Sequence, residues 1–95
     1  MTDSTECWVQ CEMAERRLFD DEEFVRVQVV NDEAIHLLVP SDRVKVDSQH
    51  QAWLRARRVN RLGQHGGLLV RLPGVSLEGG AAHAVYEHRI KDEVE

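Results

Sequence analysis

Arginine is the residue type whose placement in this chain suggests chemistry. Arg55, Arg57, Arg58 and Arg61 crowd one short stretch, Arg71 follows soon after, and Lys45 and Trp53 lie just before them. A guanidinium presents a planar fork of donors that matches phosphate or carboxylate, and a neighbouring indole gives an unstacked base a surface to rest on. Arginine outnumbers lysine ten to two, which favours fork-type recognition over a diffuse cationic surface. Charge is also polarised along the chain. Met1 to Phe24 holds eight acids against two bases, whereas Arg43 to Arg71 holds seven bases against one acid. Trp53, Arg55, Arg57, Arg58, Arg61 and Arg71 are therefore the candidate ligand-binding surface. The competing structural reading pairs these arginines with the acidic run at Asp20 to Glu23 as surface ion pairs of little net energy, and places Trp53 in the core.

Other chemistries find less support. The chain lacks G-x-S-x-G, H-E-x-x-H, a P-loop and G-x-G-x-x-G. Its histidines are scattered, and His83 and His88, five apart, face opposite sides of a regular strand. Cys7 and Cys11 share one face of a strand but stand about 13 Å apart there, too far for a disulfide. On a helix they would stack at i and i+4, yet C-x-x-x-C alone lacks the second ligand pair of a zinc site. Two buried free thiols are expected. The run RRLFDDEE, Arg16 to Glu23, reads as a solvated loop or helical turn and lacks the spacing of an EF-hand loop. No catalytic residue, cofactor or metal is assigned, and the chain is expected not to be an enzyme.

The elements that must position the arginines are strands. Val25, Val27 and Val29 alternate with Arg26 and Gln28, and after a turn at Asn31-Asp32-Glu33 the residues Ile35, Leu37 and Val39 resume the period of two. This predicts an antiparallel hairpin over 24–39, with His36 at the surface or half-buried. Cys7, Val9, Cys11 and Met13 predict a first strand, with a helix over 5–19 as the alternative. Pro40-Ser41-Asp42 breaks the chain before a short edge strand at Arg43 to Val46. In Ala52 to Leu62, Ala52, Leu54 and Ala56 alternate with Trp53, Arg55 and Arg57, and the phase slips at Arg57-Arg58 as at a β-bulge. A helix is again the alternative there, because alanine, leucine and arginine all favour one. Leu68, Val70 and Leu72 predict another strand, ended by Pro73-Gly74. The connection Pro73 to Ala81 reads as a wide loop in preference to a short edge segment, before a last alternation from Ala82 to Arg89.

Five to six short strands without a firm helix define an all-β chain, either a small partly open barrel or a curled antiparallel sheet. Its size and strand count are SH3-like or OB-like, a likeness of architecture alone. The 95 residues make one domain, with about 1–6 and 91–95 expected as disordered tails. No apolar run approaches the roughly 18 residues of a membrane span, and the first residues show neither a basic leader nor an apolar stretch, so a cytoplasmic location is expected. A net charge of −5 argues against a protein that coats nucleic acid generally. The expected function is a noncatalytic interaction module that binds protein. The alternative is a single-stranded nucleic-acid-binding barrel using the Arg55 to Arg61 strand, and a third idea is a monomer or weak homodimer that self-associates through an edge strand.

Overall fold

Valine and isoleucine alternation builds the hairpin that the sequence predicts. In the computed structural model, which describes residues 6–13, 21–62, 66–80 and 82–94, strand β2 (Glu22–Gln28) pairs antiparallel with β3 (Ala34–Pro40). Val25, Val27, Ile35, Leu37 and Val39 all point into the core. Asn31 and Asp32 turn the chain at positive φ, a conformation their short polar side chains tolerate, and the Val29 N–H donates to the Glu33 carbonyl at 2.8 Å.

Strand β1 (Glu6–Met13) buries Cys7, Val9 and Cys11 on one face, as a period of two requires. One edge of β1 pairs with β5 (Ala52–Leu62) along Glu6 to Cys11. Its other edge meets β2 at Glu12 and Met13. The far edge of β5 takes β4 (Val44–Val46), entered through a 3₁₀ turn at Ser41–Arg43, and then β6 (Leu68–Arg71). Both helical alternatives lose to this pairing wherever the chain is described, residues 5 and 14–19 of the first lying outside the described residues. The register against β6 shifts between Arg58 and Leu62, close to the predicted slip.

The chain thus forms an open, strongly curled antiparallel sheet, a half-barrel, with strand order β7-β3-β2-β1-β5-β6-β8. Its interior is filled by Val9, Val25, Val27, Leu37, Val39, Leu54, Val70 and Val85. Each such side chain contributes roughly 1.5–3 kcal/mol by leaving water, so the curl is held by its concave face. No helix among the described residues is long and apolar enough to cross a membrane.

The structure departs from the sequence reading in three places. Pro73 to Ala81 is not a plain wide loop, because Val75–Ser76 form a short strand, β7, against Leu37 and Leu38 of β3. Gly74 makes this possible: at φ +80° it lies so close to β3 that an added Cβ would sit 2.5 Å from the Leu38 carbonyl oxygen. The last alternation is also shorter than predicted. Strand β8 (Ala82–Val85) gives way to a 3₁₀ turn at Glu87–Arg89 and then to β9 (Ile90–Lys91), which pairs with Trp8 and Val9. Lys91 to Val94 of the expected C-terminal tail are therefore held, with Val94 buried and its carbonyl accepting from Lys45 Nζ at 2.6 Å; Glu95 lies outside the described residues. Thirdly, the acidic run is not all solvated. Residues 14–20 lie outside the described residues, but Glu22 and Glu23 belong to β2, and Glu23 shares the inward parity of Val25 and is only 4% exposed.

Candidate functional site

On the face of the sheet opposite the core, alternation places Glu6, Trp8 and Gln10 of β1 beside Arg57, Arg55 and Trp53 of β5, in that register. Arg71 of β6 stands directly opposite Arg57 on the far side. A row therefore runs Glu6, Arg57, Arg71 across three strands. Arg43 joins it from the 3₁₀ turn before β4. Together Arg43, Arg55, Arg57 and Arg71 line a groove of about 250 Å³, with Glu6 inside it and Leu72 and Pro73 as an apolar wall.

The electrostatics are lopsided. Among the described residues the groove's lining sets four guanidiniums against one carboxylate, Glu6. Glu6 pairs with Arg55, whose guanidinium also lies over the Trp8 ring, 5.6 Å from its centroid. Arg55 is thus held between an acid and an indole. Arg57 and Arg71 are like charges directly opposed on neighbouring strands, an arrangement that in itself disfavours a sheet.

The six candidate residues do not stay together. Arg55, Arg57 and Arg71 converge on the groove. Arg58 has the other parity and reaches away to Asp92 at 2.9 Å. Arg61 lies in β5, but its side chain falls outside the described residues. Trp53 is only 4% exposed. Its indole N–H donates to Asp47 Oδ2 at 2.9 Å, and Lys91 Nζ sits 4.5 Å from its ring centroid. It is a covered structural residue with a satisfied donor, and it is not an open stacking platform. Two charged members of the groove escaped the sequence reading as site residues. Glu6 was discoverable from its alternation with Cys7, and Arg43 only from the pairing of β4 with β5, which brings the preceding turn beside β6.

The thiols are unsuited to chemistry as they stand. Both cysteines are free and buried. Burial pushes the Cys11 thiol up to about 12, with the Glu12 carboxylate adding to it, and burial also raises Cys7 against the opposing pull of Arg58. Among the described residues no three His, Cys, Asp or Glu side chains are grouped to hold a metal ion. Among the described residues the groove is lined by guanidiniums, aliphatic carbon and one carboxylate engaged by Arg55, a set whose donors match the geometry of an anion. Comparisons with protein-family models, with curated proteins and with solved structures find no match for this chain.

Proposed function

We propose that this chain is a noncatalytic interaction module that binds an acidic segment of a protein partner in the arginine groove. The observation that carries the reading is the convergence of Arg43, Arg55, Arg57 and Arg71, from the turn before β4, from β5 and from β6, on one groove whose described lining holds one acid, Glu6. Like charges repel, and Arg57 and Arg71 stand opposite each other across β5 and β6, so an anionic ligand in the groove would offset that repulsion. The apolar wall at Leu72 and Pro73 adds a surface for a side chain beside the acidic one.

The same charge supports single-stranded nucleic acid as a second reading. It is weaker, because Trp53 is covered and Trp8 is capped by Arg55, which among the described residues leaves no open aromatic beside the arginines for a base.

Fluorescence anisotropy with a labelled tetraglutamate peptide and a labelled single-stranded oligonucleotide separates the two. The peptide should bind at low salt, and binding should vanish in the double variant Arg57→Glu with Arg71→Glu while surviving Arg58→Glu. Oligonucleotide binding that is tighter than the peptide's and falls steeply with salt would replace this reading with the other. Peptide binding unaffected by the double variant would overturn the groove as the site.

A further inference from the structure

We infer that the acidic group this groove takes is the C-terminal carboxylate of the partner chain, an inference that rests on the protein-binding reading above and names the part of the partner that enters. The first support is the shape of the β5 edge. On that edge β4 reaches only to Val44, opposite Leu54, and β6 only to Arg71, opposite Arg57. Arg55 and Ala56 between them have a strand on the β1 side alone, where they meet Trp8 and Cys7. The flanking chains turn off at this point. Arg43 belongs to the 3₁₀ turn, and Pro73 has no N–H with which to extend a ladder. The residues that border this gap, Arg43, Arg55, Ala56, Leu72 and Pro73, all line the groove.

The second support is what such a gap admits. From Leu54 to Arg57 the edge runs about 10 Å at roughly 3.3 Å per residue, and neighbouring strands lie about 4.8 Å apart. A partner strand laid along β5 would collide with β4 at one end and with β6 at the other, so strand addition is closed here. An internal segment must enter and leave, which brings two chain widths into the gap. A chain end enters once. It also carries its carboxylate on the main chain, beside a peptide N–H, and so meets both the strandless edge of β5 and the guanidiniums next to it.

The third support is charge. Glu6 engages Arg55, and Arg57 has an interaction of its own, so the ligand is left to Arg43 and Arg71. These two stand at opposite ends of the gap, one just before β4 and one closing β6, and among the described residues neither has an ion-pair partner. Two guanidiniums match one terminal carboxylate and one acidic side chain close to it. Leu72 and Pro73 give the gap a wall of carbon, which suits an apolar last side chain.

Isothermal titration calorimetry with the full chain, joined to amide NMR, tests this. The probes are a short N-acetylated peptide ending in glutamate, glutamate and valine with a free carboxylate, the same peptide as its C-terminal amide with one more glutamate upstream to restore the charge, and N-acetylvaline. The free acid should bind about tenfold or more tighter than the charge-restored amide, because the amide lacks the charge-assisted contacts of the terminal group. In the double variant Arg43→Gln with Arg71→Gln that ratio should fall to about one, while Arg58→Gln should keep it. The Arg55 and Ala56 amide signals should move as the free acid binds. Equal affinity for the free acid and the charge-restored amide would overturn this inference and leave the acidic-segment reading standing. No binding of either would overturn both. Binding of the free acid that leaves the Arg55 and Ala56 amides unmoved would place the terminus outside the gap, and N-acetylvaline binding as tightly as the peptide would make the ligand a small carboxylate; either result overturns the inference as stated.

Discussion

Replacing Arg71 by glutamate should make the fold more stable while it destroys ligand binding. In the native sheet Arg57 has Glu6 opposite it on β1 and Arg71 opposite it on β6. The substitution Arg71→Glu places the same arginine between two acids. Directly opposed charges on an antiparallel pair are worth roughly 0.2–1 kcal/mol, favourable for opposite signs and unfavourable for like ones. The site is exposed, so solvent takes the lower part of that range, and removing repulsion while adding attraction gives a gain of about 0.5–1 kcal/mol at low salt. For a domain of this size that is a rise in Tm of about 2–8 °C. Arg71 is exposed, so little packing is lost with it. Differential scanning calorimetry at low salt and at about 1 M salt, where the Debye length shrinks to about 3 Å, reads both the gain and its origin. A lower Tm, or a gain that persists undiminished in high salt, would refute the claim that Arg71 is held there against the interests of the sheet.

Three other outcomes follow from the packing and titration of named groups. Leu54 is fully buried at the centre of β5, and Leu54→Ala should cost about 2–5 kcal/mol, read as a lower urea midpoint at unchanged slope. Glu78 accepts from the His36 backbone N–H at 2.8 Å and lies 2.9 Å from the His36 ring Nδ1, and these contacts bring its carboxyl from the ordinary 4.5 down to about 2. A depressed folded value means that the unfolded chain takes up the proton first. Its stabilising contribution is therefore whole above about 4.5 and lost as pH falls toward about 2. Glu78→Gln should flatten the stability profile in that acid window, as followed by urea unfolding at stepped pH. Cys11 should resist a disulfide-exchange reagent at pH 8 in the folded chain and react at once in denaturant, because burial holds its thiol protonated; prompt labelling of the native protein would contradict that burial.

Local patterning was legible wherever one face of a strand is buried. The hairpin over 24–39, the first strand and the long strand over 52–62 all follow from a period of two, since slipping one residue would turn valines and leucines to water. What the chain does not spell out is which strands lie side by side. The sequence shows that Arg55 and Arg57 share a face and that Arg71 lies on a later strand, but only the β5–β6 register sets Arg57 against Arg71. Trp53 shares the parity of Arg55 and so looks like a neighbour. Covering by the C-terminal segment removes it from the surface, and nothing in the local sequence near Trp53 reports on Lys91 or Val94. Strand β7 was missed for a similar reason. Two residues carry no period, and the strand exists because Gly74 can approach Leu38 closely.

The most direct test of the groove as recognition site is a titration of isotope-labelled chain with the tetraglutamate peptide, following backbone amides and arginine Nε–H signals by NMR. Shifts should gather on Arg43, Arg55, Arg57, Arg71 and Leu72 and fade as salt rises, while Arg58 and the Trp53 indole stay in place. Shifts centred elsewhere, on the β4 edge at Val46 or around Trp53, or no shifts at low salt, would contradict the assignment of function to the arginine groove.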